Sequence, residues 1–177
     1  MSVAPAALLF LLLSTTASAT LLPRLDLPDL VHSSKLIVQG RVLRHWSDWD
    51  KTHRYIWTHY TLEIQGTLKG NAPTSITISE PGGTATGTTM KMIGAPEYSD
   101  GEEVIVFLER TPIGYWRCHG WNQGKYTVMH SPLGQSRIRT NLVGLEFADR
   151  LKTKSPLTRL DGITLDEFQR LVRKEIK

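Results

Sequence analysis

The sequence has one cysteine, Cys118, among its 177 residues, which excludes an intramolecular disulfide and a metal site made of cysteines alone. Its longest unbroken apolar run, residues 6–13, is far shorter than the roughly 20 residues that a membrane-spanning helix needs. It contains no phosphate-binding loop, dinucleotide fingerprint, nucleophile elbow, zinc-protease helix or internal repeat. The chemistries marked by those motifs therefore have no support in the sequence.

Basic residues only slightly outnumber acidic ones, with 21 Lys and Arg against 17 Asp and Glu. Residues 20–136 carry 11 basic and 11 acidic side chains, and residues 137–177 carry 10 and 6, so the whole excess lies in the last segment. A nucleic-acid-binding surface needs a clustered basic face. This distribution argues against a nucleic acid as partner.

The N-terminal segment has the pattern of an export signal. The apolar run over residues 6–13 is followed by small residues that end in Ala17, Ser18 and Ala19. We expect residues 1–19 to be a secretory signal peptide cleaved after Ala19, since the two alanines suit a signal peptidase. The mature chain is then secreted or periplasmic, with no membrane span after cleavage. The alternative is a buried N-terminal helix.

Glycine and proline separate short stretches of alternating hydrophobicity, which is typical of a mainly β fold. The segment 104–108 is apolar at every position and predicts a strand covered on both faces. Up to residue 140 we count about seven short strands and no long helix. The clearest strands are expected over residues 36–44, 54–65, 75–80, 104–108, 113–119 and 125–130, the last two as a hairpin.

These strands suggest a barrel over residues 36–140, preceded by an N-terminal docking segment over residues 20–35. Pro28 suits the first turn of a short helix in that segment. In the first strand Leu36, Val38 and Val42 share the core face with Gly40. A glycine at that point predicts a bulge or a close backbone approach, as at a barrel corner.

One amphipathic helix is predicted over residues 164–177, after a linker over residues 141–163. Thr164 suits the N-cap, with Glu167 three residues later. We expect this helix to pack on its own domain and to close one end of the barrel; the alternative is a partner-binding role. Its apolar stripe consists of Leu165, Phe168, Leu171, Val172 and Ile176.

Six histidines invite a metal hypothesis, and their spacing argues against it. Side chains six residues apart on a strand stand about 20 Å apart, so His53 and His59 cannot share an ion without a second strand. We predict no metal and no cofactor. The alternative that remains open is a secreted hydrolase whose metal site joins His45 or His59 to Glu63 or Asp50.

Two further features have ordinary structural interpretations. Cys118 and His119 resemble a thiol and base pair, yet neighbours in a strand point to opposite faces. We interpret Cys118 as a small buried hydrophobic residue. The glycine-rich segment 81–89 could cradle an anion through backbone amides, but no predicted helix follows it, so we interpret it as turns.

Aromatic residues are concentrated in a stretch of twelve residues from Trp46 to Trp57. The second strand places its core face at even positions, which leaves its aromatic and polar residues on the opposite face. Exposed rings can stack on sugars, bases or a protein partner, and an exposed apolar patch commonly marks an interaction surface. The alternative is that loops or the C-terminal helix cover the rings. The predicted partner-binding site consists of Trp46, Trp49, Tyr55, Trp57 and His59.

Short landmarks separate the predicted strands. They are Ser34-Lys35 before the first strand, Leu68-Lys69-Gly70 after the second, Ile76 opening the third and Gly101-Glu102 before residues 104–108. Their order resembles that of the netrin-like domain, the OB-type barrel of tissue inhibitors of metalloproteinases. It also resembles uncharacterised exported bacterial proteins with the same Lys-Gly and Pro-Gly-Gly landmarks. The resemblance covers residues 36–130.

The resemblance implies a five-stranded, partly open barrel and a binding role. Netrin-like domains carry disulfides, and the inhibitors use an N-terminal cysteine to chelate the zinc of the protease. Here the predicted mature chain begins at Thr20 and has only Cys118, so zinc-chelating inhibition is not transferred. We predict an OB-like β-barrel with one C-terminal helix, acting as an exported, non-enzymatic binding module for a protein, such as a protease, or for a glycan.

Overall fold

The computed structural model describes residues 22–132, 134–142, 145, 147 and 155–177, so the predicted signal peptide over residues 1–19 lies outside the described residues. No helix in this part of the chain has the length and apolar character of a membrane span. The helices are α1 (Leu27–Ser33) and α2 (Leu165–Ile176). The strands are β1 (Leu36–Trp49), β2 (Ile56–Lys69), β3 (Ser75–Pro81), β4 (Gly83–Ala85), β5 (Thr88–Met90), β6 (Glu103–Arg110), β7 (Trp116–Cys118), β8 (Lys125–Met129) and β9 (Arg137–Thr140).

Five strands form a partly open barrel in the order β1, β2, β3, β7, β6 and back to β1. Neighbouring strands are antiparallel except β3 and β7, which are parallel and share one residue pair, Ile78 with Trp116. The barrel is least closed at that seam. This architecture confirms the prediction of a mainly β, OB-like barrel with one C-terminal helix.

Alternate residues of each strand fill the barrel interior. On β2 the even positions from Ile56 to Leu62 are buried, while Trp57, His59 and Thr61 between them are partly exposed, as the alternation predicted. The interior cluster consists of Leu36, Val38, Val42, Tyr60, Leu62, Ile76, Ile78, Tyr98, Val104, Val106 and Leu108.

Strand β6 is buried on both faces, which confirms the prediction from its continuous apolar sequence. Val104, Val106 and Leu108 face the barrel interior. Ile105 and Phe107 belong to a second core on the outer side of the wall that β1 and β6 form. β6 is therefore shared between two hydrophobic cores.

Helix α2 packs on this second core and not over an end of the barrel, where the sequence led us to expect it. Phe168 and Val172 are fully buried against residues that include Phe107 and Tyr126. The helix lies there because the outward residues of β1 and β6 are also apolar and need cover. Its N-cap is Thr164, whose Oγ1 accepts a hydrogen bond from the Glu167 N–H at 3.2 Å.

The hairpin predicted from residues 113–119 and 125–130 is wrong. β7 pairs with the C-terminal end of β6 and β8 with its N-terminal half, so the two lie end to end along one edge of β6. Gly120 and Trp121, with φ of 69° and 61°, lead the chain into the 3₁₀ turn Trp121–Gly124 between them. The chain therefore loops outward and returns to the same edge of β6.

Gly40 lies at a register shift of the β1–β2 pair, which confirms the predicted bulge. Gly40 pairs with Ile64 on β2 and with Val104 on β6, so β1 is paired with both neighbouring strands at this residue. A Cβ placed on Gly40 would lie 2.6 Å from the carbonyl oxygen of Glu63. The close approach of the two backbones therefore requires glycine.

Gly40→Ala is expected to destabilise the fold by about 1–3 kcal/mol, because β1 and β2 must move apart. The free energy of unfolding in urea measures this cost. Gly66→Ala on β2 is the matched control, since its Cβ would have only an ordinary contact with Gln39 at 4.0 Å. Equal losses in the two variants would contradict the steric explanation.

Candidate functional site

The outer face of the β1–β2 ribbon brings together three of the five predicted site residues. Trp46 pairs with His59 and Asp48 with Trp57 across the two strands. Since alternate residues of a strand share a face, Trp46, Trp57 and His59 point to the same side. Trp46 lies within β1, beyond the predicted end of the first strand at residue 44, because β1 stays paired with β2 as far as Trp49.

Four rings form a continuous cluster on this face, which we call the aromatic row: Trp46, His59, Tyr115 and Trp57. The His59 ring centroid lies 5.1 Å from that of Trp46 and 5.6 Å from that of Tyr115. Tyr115 in turn contacts Trp57 edge-on at 5.3 Å. The guanidinium of Arg44 lies over the Trp46 ring at 5.6 Å. The row thus combines aromatic surface with a cation at one end.

Tyr115 is the member of the row that the sequence did not indicate. It comes from the turn before β7, where its N–H donates to Thr111 Oγ1 at 2.9 Å and its carbonyl accepts from the Thr111 N–H at 2.8 Å. This turn leaves Trp57 and His59 half-buried, whereas Trp46 stays 41% exposed. The sequence left open whether loops or the C-terminal helix cover the rings. The turn that carries Tyr115 covers part of them, whereas α2 packs on the second core.

Trp49 and Tyr55 lie outside the aromatic row. Trp49 pairs with the buried Ile56, and its Nε1 donates to Thr86 Oγ1 at 2.8 Å on the opposite side of the ribbon. Tyr55 is 50% exposed beside the turn that joins β1 to β2, with its N–H bound to Asp50 Oδ1. The five predicted residues therefore do not form one site. Three lie on the outer face of the β1–β2 ribbon, Trp49 lies on the opposite face, and Tyr55 lies beside the turn between the strands.

The His59 ring lies at the centre of the aromatic row, between Trp46 and Tyr115. Its Nδ1 lies 2.8 Å from Ser79 Oγ on β3. Burial lowers the pKa of His59 below its ordinary value, and the charge of Asp48 partly opposes that shift. The imidazole is therefore neutral at pH 7, and the row carries its positive charge at Arg44.

The histidines of the hydrolase alternative lie on different sides of the ribbon. His45 pairs with the inward-facing Tyr60, and its Nδ1 lies 2.8 Å from Asp100 Oδ1. His59 is on the outer face with Ser79. Among the residues that the structure describes, no three His, Cys, Asp or Glu side chains gather as metal ligands.

Asp50, a further member of that alternative, organises the turn between β1 and β2. It accepts hydrogen bonds from Thr52 Oγ1 at 2.6 Å and from the N–H groups of Arg54 and Tyr55. The bond from Thr52 contributes most to lowering the pKa of Asp50, with the two backbone N–H groups adding to it. Its carboxylate is therefore committed to shaping the turn.

Cys118 is fully buried, as interpreted from the sequence. Burial raises the pKa of its thiol well above the ordinary value, so the thiol is protonated at neutral pH. The neighbouring His119 lies instead against Glu109, with Nδ1 2.9 Å from Oε2. The adjacent pair does not form a thiolate and base.

A cleft of about 610 Å³ opens at the mouth of the barrel, between the ribbon and residues 81–98. We call it the mouth cleft. The glycine-rich segment contributes to its wall through the β4–β5 hairpin, whose turn places Thr86 and Gly87 at φ of 47° and 79°. The sequence indicated the turn but not the two short strands beside it. Its lining includes His45, Tyr60, Glu80, Lys91, Glu97 and Tyr98.

Glu80 is the unusual residue of the mouth cleft, since it is a carboxyl group only 1% exposed. Its Oε1 accepts a hydrogen bond from the Cys118 N–H at 2.7 Å, which joins β3 to β7 at the barrel seam. Burial raises the pKa of Glu80 to about 8. The signal in the sequence was a glutamate at an inward position of β3, after Ile76 and Ile78.

No known family model matches this chain, and no curated protein is similar to it.

Proposed function

We propose that this chain is an exported, non-enzymatic binding module that recognises a protein partner through the aromatic row. The observation that supports this most is the exposure of Trp46 at the edge of four clustered rings on an otherwise polar sheet face. Trp, Tyr and Arg are the residues that concentrate binding energy in protein interfaces. Arg44 and Asp48 beside the rings would supply the polar rim.

The ring contacts favour a protein over a glycan. A sugar that stacks on an aromatic side chain needs a free ring face. Arg44 lies over the Trp46 ring, His59 packs beside it at an interplanar angle of 31°, and Tyr115 meets Trp57 edge-on. These neighbours hold the rings in place before a partner arrives, which reduces the entropy cost of binding.

Export and the netrin-like resemblance belong to the proposal and rest on sequence features alone. The apolar run and the small residues before Thr20 support a signal peptide. The barrel topology is compatible with many binding modules, so fold by itself does not select the partner. The mature chain is expected to meet its partner in the periplasm or outside the cell.

Trp46→Ala is expected to weaken partner binding by about 30-fold or more, the loss typical of a hot-spot residue. The melting temperature should stay close to that of the wild type, since Trp46 is substantially exposed. The measurement is capture of partners from the secreted or periplasmic fraction on immobilised chain, followed by the affinity of each captured species.

Trp121→Ala is the matched control, because Trp121 is also partly exposed and also lies under an arginine, Arg117, at 4.7 Å. It should retain capture. Equal losses from the two variants would remove the aromatic row as the binding surface. Binding to purified polysaccharide that Trp46→Ala abolishes, without any captured protein, would replace the protein partner by a glycan.

A further inference from the structure

The mouth cleft contains a buried polar atom whose hydrogen bonds the protein does not complete. Glu80 Oε1 is bound by the Cys118 N–H, but Oε2 has no partner among the described residues. As a carboxylate oxygen, Oε2 lacks a donor; as a protonated oxygen, it lacks an acceptor for its proton. An unpaired buried polar atom costs free energy, so a ligand that pairs with it gains affinity.

The surroundings of Glu80 in the cleft are aromatic. The Tyr60 and Tyr98 rings meet edge to face with centroids 4.7 Å apart. The ammonium of Lys125 lies 4.5 Å from the centroid of the Tyr98 ring, so this ring already interacts with a cation. Aromatic rings next to a carboxyl group form a favourable environment for an ammonium ion.

The groups that face Glu80 leave it available to a cation. From β7 come Arg117 and the Cys118 thiol, from β6 Glu109, and from within the barrel Tyr60 and Tyr98. The charge of Arg117, the cation among them, lowers the pKa of Glu80, but Arg117 makes no hydrogen bond to Glu80. Its Nε lies 3.8 Å from Glu109 Oε1 and its guanidinium covers the Trp121 ring.

The hydroxyl groups of Ser47 and Thr58 in the cleft wall are already paired. Ser47 Oγ and Thr58 Oγ1 lie 2.9 Å apart, and Thr58 donates to the Gly82 carbonyl at 2.7 Å. Gly83 passes so close to them that a Cβ there would lie 2.3 Å from Thr58 Oγ1. Glu80 Oε2 and the Tyr98 hydroxyl are the buried polar atoms of the cleft lining that have no hydrogen-bond partner among the described residues.

We propose that the mouth cleft binds a small aliphatic primary amine, whose ammonium group donates a hydrogen bond to Glu80 Oε2 while its carbon chain lies along Tyr60 and Tyr98. The volume of about 610 Å³ falls within the range of small-molecule sites. Of the other charged residues that line the cleft, Glu97 adds a negative charge and Lys91 a positive one, so the preference for a cation depends on Glu80. This site adjoins the aromatic row at Trp46, which also lines the cleft, but it does not depend on the proposed protein partner.

The test is an NMR titration of the purified chain with n-butylammonium chloride, with n-butanol as the neutral analogue. We expect n-butylammonium to bind and Glu80→Gln to weaken it about tenfold or more, because a charge-assisted hydrogen bond is lost. n-Butanol should bind at least about tenfold more weakly than the amine to the wild type. Glu167→Gln, at an exposed site on α2, should bind the amine like the wild type.

The pH dependence provides an independent readout. Binding of the ammonium requires ionised Glu80, so affinity should rise about tenfold per pH unit from pH 6 and level off near pH 8. Glu80→Gln should lose this dependence. It still presents an oxygen to the Cys118 N–H, so it is expected to fold, which its melting curve checks.

Three results would overturn the proposal. The first is no saturable binding of n-butylammonium to the wild type. The second is equal affinity of wild type and Glu80→Gln. The third is equal affinity of the wild type for the amine and for n-butanol, which would mean that the cleft holds any small polar molecule or water. Glu80→Gln should lose amine binding and keep partner capture, because Glu80 is buried and is not part of the aromatic row, so the two proposals can fail separately.

Discussion

We expect the free energy of unfolding of the wild-type chain to decline between about pH 4.5 and 8, and Glu80→Gln to remove most of that decline. The folded-state pKa of Glu80 is raised to about 8 from 4.5, with burial as the main cause. In that window the folded chain keeps the proton and the unfolded chain releases it. The free energy of unfolding therefore falls by about 1.4 kcal/mol for each pH unit.

The difference between wild type and variant should be small at pH 4 and reach several kcal/mol near pH 8, with the variant more stable. Glutamine keeps an acceptor for the Cys118 N–H, so the bond across the barrel seam is preserved. Urea unfolding of both chains at pH 4, 5, 6, 7 and 8 measures the two slopes. Glu63→Gln, at an exposed position of β2, should keep the wild-type slope. Identical slopes in wild type and Glu80→Gln would show that Glu80 is ionised in the folded chain throughout.

Phe168→Ala is expected to destabilise the fold by about 3–5 kcal/mol, as deletion of a fully buried aromatic side chain does. The Phe168 ring centroid lies 4.5 Å from that of Tyr126 and 6.4 Å from that of Phe107. Its removal leaves a cavity between α2 and the outer side of the β1–β6 wall. Chemical unfolding followed by circular dichroism measures the loss.

Ile176→Ala on the same apolar stripe is the matched control, since Ile176 is 38% exposed. We expect it to cost less than about 1 kcal/mol. If both substitutions cost the same small amount, α2 would not contribute to the stability of the barrel.

The parts of the fold that could be predicted from the sequence are those with a hydrophobic pattern inside a single element. The alternation in β2, the continuous apolar run of β6 and the stripe of α2 each depend on residues within one element, and the structure has each of them. The bulge at Gly40 was also a local signal, because glycine within a strand marks a place where a side chain does not fit.

The errors concern pairings between distant segments. Residues 113–119 and 125–130 have the composition of a hairpin, but whether two strands pair with each other or with the same edge of β6 depends on the rest of the barrel. The C-terminal helix was placed at an end for the same reason, since its stripe does not specify which apolar face it meets. The limit in both cases is tertiary contact, which a local pattern does not encode.

The candidate site was predicted in part. The outer positions of β2 gave Trp57 and His59, and their cross-strand partner is Trp46. The predicted strands left residues 45–53 between them, so Trp49 was not assigned to the opposite face of a strand. Tyr115 belongs to the row only because its turn returns beside β2, which a single sequence does not reveal.

The position of β6 between two hydrophobic cores makes the two parts of the fold cooperative. Val106 packs into the barrel and its neighbour Phe107 into the helix layer, so separating either layer exposes apolar surface on a strand that the other layer also needs. The barrel and the helix layer are thus expected to melt in one transition, like a single folding unit. A fragment that ends before α2 contains every strand of the barrel, but it lacks the helix that covers the outer side of β6. We therefore do not expect this fragment to fold stably on its own.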